Sequence, residues 1–191
     1  MAGRTGRRRG RAATDGIFRA SMTRPGRGLA WPLATALAVL LVFAPAVVGQ
    51  RTLSQRDTDR FFGPIRPLVV EALRAGRLPL WNPHEAGGKP LFAEGVHSVL
   101  HPVSLLGAAV APGSIDFVIL GYLVAAALGA YGLGRALGAS AAASAGGALG
   151  FALSGYTVSM TGNLTFLAGA ATLPWVVAAG RAAPRPPRRG R

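Results

Sequence analysis

An all-α membrane protein, with about four transmembrane helices and a large structured first outer loop containing a short amphipathic helix, is the fold the sequence predicts. Half of the 191 residues are hydrophobic and 15% are charged, well below the usual quarter. The charges are also clustered. Of 21 basic residues, eight lie in residues 1–28, seven in 51–89, one at Arg135 and five beyond residue 180. Long uncharged tracts remain between them, and the first, residues 29–48, would reach roughly 30 Å as a helix, the thickness of a hydrocarbon core.

Each element follows in order. Residues 1–28 are rich in Arg, Gly and Thr, and a segment so poor in apolar side chains is expected to be a disordered cytoplasmic tail. Met22, just before Thr23-Arg24-Pro25, is an alternative start whose basic flank would suffice. Residues 29–48 form the first span. A signal peptide released after Ala46 is the competing reading, because Ala44-Pro45-Ala46 has the small-x-small form. The length of the tract and the further apolar tracts downstream favour a retained helix.

After a polar stretch come residues 104–111, apolar but too short to cross, which are expected at the interface or re-entering. The second span covers 115–133, with Gly121, Ala125 and Gly129 at the four-residue spacing that lets helices approach closely in lipid. Gly132, Gly134, Arg135 and Gly138 predict a turn. Residues 139–158 form an Ala- and Gly-rich third span with Gly146 and Gly150 four apart, and 164–179 a shorter fourth with Pro174 and an interfacial Trp175. Residues 180–191 read as a disordered Pro/Arg tail.

Charge sets the orientation. With four spans and the amino terminus inside, inner segments carry fourteen basic residues and outer ones seven, so the positive-inside rule places both termini in the cytoplasm and residues 49–114 outside. The same distribution argues against nucleic acid as a partner for the net charge of +14, since the Arg runs flank apolar spans; membrane lipid is the expected partner. The chain has no cysteine, which excludes disulfides and thiolate chemistry.

The outer loop holds the polar side chains that could do chemistry. Ile65, Leu68, Val69, Ala72 and Leu73 make a helical apolar stripe closed by Gly76, predicting a surface helix over 64–75. Arg74 and Arg77 at its end suit the helix dipole or could grip a lipid phosphate. Leu78-Pro79-Leu80-Trp81-Asn82-Pro83 must be non-helical, and with Gly87-Gly88 it lines a site or forms a rigid collar. Asp57 could act as a general base or, with Asp59, coordinate a hard cation, or it could simply cap a helix; on a strand the two acids would point apart. His84, His97 and His101 have no metal-ligand spacing, so no metal site is expected. Asn163-Leu164-Thr165 matches a glycosylation acceptor by coincidence.

Several of these runs resemble the first outer loop of the bacterial YfhO-like membrane proteins: Arg56-Asp57, Phe61-Phe62-Gly63-Pro64, residues 72–83 through Leu78-Pro79-Leu80-Trp81-Asn82-Pro83, Gly87-Gly88-Lys89-Pro90-Leu91 and Pro102. Gly132-Leu133-Gly134-Arg135 and Ala152-Leu153-Ser154-Gly155 also fit. Those proteins are similar to multi-span glycosyltransferases that use polyprenyl-phosphate-linked sugars. The resemblance implies residence in the bacterial cytoplasmic membrane, Asp57 as catalytic base with Asp59 as the reserve candidate, Trp81 and Asn82 as parts of the outer-face site, and Arg74 and Arg77 as contacts for the donor phosphate. His101 stands where Tyr is expected and Glu94 where Asn or Asp is usual, so neither is carried over. The family has more spans than four, so this chain is expected to be an amino-terminal part, inactive by itself. A non-catalytic helical membrane protein, either a partner subunit or a decayed fragment, is the alternative. The sequence specifies no cofactor.

Overall fold

The structure, a computed structural model, describes residues 28–49 and 51–182. The proposed tail, the alternative start at Met22 and residues 183–191 lie outside the described residues, apart from Gly28. The chain is mostly helical: α1 (Ala30–Val48), a π-helical turn (Thr58–Phe62) running into α2 (Gly63–Arg74), strands β1 (Trp81–Asn82) and β2 (Lys89–Pro90), then α3 (Pro102–Val110), α4 (Ile115–Ala136), α5 (Ala141–Ala152), α6 (Gly155–Ser159), a 3-10 turn (Met160–Gly162) and α7 (Leu164–Ala182). Two of these, α4 and α7, are long and apolar enough to cross a membrane; α1 supplies a shorter apolar stretch, Ala30–Ala46.

The bundle is organised around α4, which packs against α7, α5 and α1. Ile119, Tyr122, Leu123, Ala126 and Ala127 of α4 form its core with Val39 of α1, Ala152 of α5 and Leu167 and Ala171 of α7. Little of the remaining apolar surface is covered. Only 39% of the apolar window of α4 and 28% of that of α7 is buried, while Leu37, Leu41, Phe166, Leu173 and Val176 are exposed. A soluble core helix would be mostly buried, so this much bare hydrocarbon is what a lipid-facing bundle leaves outside.

Helix α4 is held at both of its ends. At the loop end, the Asp116 carboxylate in the first turn of α4 accepts from the backbone of Leu53 (2.8 Å) and Ser54 (3.1 Å) and from the Thr52 hydroxyl (3.1 Å). That position also favours an anion through the helix dipole. At the far end, Gly134 of α4 lies against Ser144 of α5. Helix α7 then descends parallel to α4, with the Trp175 indole donating to the Ala125 carbonyl at 2.9 Å.

Local capping fixes the boundaries. Ser114, Ser140 and Ser154 accept from the backbone N–H three residues on, opening α4, α5 and α6, as an N-cap hydroxyl does. Gly76 and Gly138 sit at φ 68° and 87° just past helix ends, conformations that glycine adopts without a Cβ penalty.

Several expectations are corrected. The third span is not one helix over 139–158: α5 stops at Ala152, about 18 Å long and too short to cross by itself. The break is stabilised locally, because Ser154 starts α6 and the Thr157 hydroxyl takes the Phe151 carbonyl at 2.9 Å. Gly132, Gly134 and Arg135 belong to α4, and the turn comes after Ala136. Residues 180–182 continue α7. Residues 104–111 fall largely within α3, which begins at Pro102, where a proline's missing N–H costs nothing. Within the stripe on α2, Ile65 and Ala72 are buried and Leu68, Val69 and Leu73 half-buried, and Arg66 reaches the Ala111 carbonyl at the end of α3 (3.1 Å). Burial pushes the Arg66 pKa down. Asp57 and Asp59 lie on a helical turn, not a strand.

Candidate functional site

Asp57 opens the helical run that becomes α2, and its side chain is exposed. Its neighbour Arg56 has φ 52°, a left-handed backbone that costs a non-glycine residue of order 1 kcal/mol and persists where surroundings enforce it. Those surroundings come from the end of the third pass. Gly162 lies against Arg56, where an added Cβ would sit 3.4 Å from Cδ, and the Asn163 amide donates to Asp57 Oδ2 at 3.0 Å. The Asn163 side-chain oxygen accepts from Thr165 N (3.2 Å) and caps α7. One side chain therefore starts a helix and orients the carboxylate, leaving Asp57 Oδ1 open. Asp59 is turned elsewhere, with the Ser54 hydroxyl 3.4 Å away.

The other sequence-predicted residues lie at the far end of α2. Asp57 and Arg74 are separated by seventeen positions of one helical run, about 25 Å at the rise of an α-helix. Arg74 and Arg77 are exposed. Arg77 and Trp81 line an open groove of about 610 Å³ with Leu68, Glu71, Leu78 and Leu80. The Trp81 ring lies on Gly88 so closely that a Cβ there would come within 2.7 Å of it, which explains the glycine. Asn82 is the exception to the predicted set: it is fully buried. Its carbonyl oxygen accepts from His84 N (3.0 Å) and its amide donates to Glu85 Oε2 (3.3 Å). Asn82 builds the loop and is not presented to a ligand.

Lys89 ties this loop together, bonded to Glu85 (2.8 Å) and Glu94 (3.1 Å) and placed over the Phe61 ring at 5.3 Å. Its hydrogen bond to the Glu85 carboxylate raises the Lys89 pKa. Beside it His97 stacks on Phe61 and meets Phe62 edge-on, and desolvation lowers its pKa below the usual histidine range. Among the described residues, no group of three or more His, Cys, Asp or Glu side chains is placed to hold a metal ion.

The structure thus joins Arg77 and Trp81 in one groove, places Arg74 one turn before it, and holds Asp57 apart. Sequence reasoning missed Asn163, Asp116 and the burial of His97. The first had a signal, because an Asn immediately before an apolar run is an N-cap pattern. No protein-family model, curated protein or solved structure matches the chain.

Proposed function

We propose that the chain is part of an integral membrane protein of glycosyltransferase type, with four passes in the bacterial cytoplasmic membrane, both termini inside, acting at the outer face on a polyprenyl-phosphate-linked sugar. The exposed Asp57 carboxylate, held on one oxygen by Asn163, carries this reading. Its open oxygen would accept the proton of an acceptor hydroxyl as that hydroxyl attacks the sugar, a general-base step. The resemblance in residues 56–91 supports the substrate class, and the Arg distribution supports the orientation.

The separation along α2 changes the roles of the basic residues. Arg56 and Arg60 flank Asp57 in the chain, so they are the nearer partners for a departing lipid phosphate. Arg74 and Arg77, beside the exposed Leu78, Leu80 and Trp81, suit contacts with membrane lipid headgroups.

Asp57→Asn, introduced into a longer protein that contains this chain, tests the reading in membranes supplied with a polyprenyl-phosphate sugar. Transfer should fall by about a hundredfold or more, the scale of a general base, while the fold is retained. Undiminished transfer by Asp57→Asn would remove the catalytic role. A non-catalytic helical membrane protein is the second reading, favoured by the failure of the predicted residues to gather in one place. A longer protein containing this chain that, unmodified, shows no transfer in that assay would select it.

A further inference from the structure

The end of α2 leads into a short, tightly tied tip. Arg77 N–H donates to the Ala72 carbonyl (2.8 Å) and Gly76 N–H to that of Leu73 (3.0 Å), closing the helix through its left-handed glycine. Leu80 N–H turns back onto the Leu78 carbonyl (2.9 Å), and the Leu80 carbonyl accepts from Leu91 N–H (2.9 Å). Trp81 then pairs with Pro90 and Asn82 with Lys89. Pro79 is buried within this frame, whereas Leu78, Leu80 and Trp81 are 48%, 62% and 57% exposed. Backbone bonds thus hold three large apolar side chains outward, where a loop free to collapse would cover them.

Neighbouring apolar side chains left bare in this way mark a docking surface, and charge indicates what covers this one. Arg74 and Arg77 are exposed beside them, and Glu71 is the one acid in the lining of the groove. Leu and Trp flanked by Arg is the composition of a membrane-interface segment, with apolar bodies at the acyl boundary and guanidinium forks on phosphate oxygens. Basic side chains at that level favour anionic over zwitterionic headgroups. The bilayer is also within reach. Leu91, bonded to Leu80, lies five residues before Val96, whose carbonyl accepts from the Thr165 hydroxyl in the first turn of α7 (2.8 Å). Five residues extend at most about 18 Å, so the tip stays close to the end of a helix apolar enough to cross a membrane.

We propose that Leu78, Leu80 and Trp81 insert into the outer leaflet of the bilayer, with Arg74 and Arg77 on the phosphates of anionic phospholipid. The inference rests on the membrane placement given under Proposed function and is independent of the chemistry given to Asp57. Helix α2 is then held at both ends. Asp57 and Arg66 bond to Asn163 and the Ala111 carbonyl at its start, and lipid holds the tip that follows its other end.

The chain has no cysteine, so a nitroxide spin label can be placed at Leu80→Cys in the tip and, separately, at Val176→Cys, exposed on α7. In proteoliposomes of phosphatidylcholine mixed with phosphatidylglycerol, both labels should collide with oxygen more often than with a water-soluble nickel chelate. Pure phosphatidylcholine, or Arg74→Gln combined with Arg77→Gln, should shift the Leu80 label towards water and leave the Val176 label unmoved. A Leu80 label in water while the Val176 label is in lipid would overturn the inference alone. A Val176 label in water would overturn the membrane placement, and the inference with it. An immobilised Leu80 label that neither reagent reaches would overturn lipid as the occupant in favour of protein. Equal depth of the Leu80 label in both lipid mixtures would overturn the choice of anionic phospholipid.

Discussion

Helices α4 and α5 carry the same kind of small-residue pattern and use it differently. On α4, Gly121 receives Val103, Gly129 receives the Trp175 indole and Gly134 receives Ser144, each so close that a Cβ would come within 3.0 Å of the incoming side chain. On α5, Gly146, Gly147 and Gly150 have nothing within 4 Å of where a Cβ would be, and the opposite face, with Ser144, Ala145 and Ala148, is the buried one. Small residues every four positions permit close approach. They do not say which notch is filled.

The largest effect should come from closing a filled notch. Gly129→Val places carbon where the Trp175 Nε1 atom now lies at 2.5 Å from the Cβ position, so overpacking of about 1–3 kcal/mol adds to loss of the indole bond to Ala125. Thermal unfolding in detergent should show a clearly lowered midpoint; an unchanged midpoint would mean that α4 and α7 do not meet at this glycine. Trp175→Phe keeps the ring in the notch but removes the donor to the Ala125 carbonyl, and should cost about 1 kcal/mol by the same measurement. The smallest effect has the opposite sign. Gly146→Ala fills open space in the interior of α5 and should stabilise the helix by up to about 1 kcal/mol. Destabilisation by Gly146→Ala would show that the exposed face of α5 is covered in the membrane.

The candidate site divides in the same way. Gly76 after the α2 stripe and the extended Leu78–Pro83 run were legible because left-handed glycine and proline restrict their own neighbourhood. Trp81 and Arg77 line one groove because they are close in the chain. Asn82 was misjudged because its partners, His84 N and Glu85, consume both ends of its amide only in the folded loop. Asp57 was singled out without its partner, since Asn163 lies 106 residues away and carries no local mark of that pairing.

Sequence by itself determined what local physics controls: uncharged helical tracts, the polar stretch between them, and the stop of α2 before Gly76. Tertiary structure alone decided which glycines are filled, that the third apolar tract breaks after Ala152, that Asp116 clasps residues 52–54, and that Val96 and His101 bond to α7. Helix periodicity and capping act within a turn or two, whereas these contacts depend on where a side chain from a distant part of the chain finds room and an unpaired polar group.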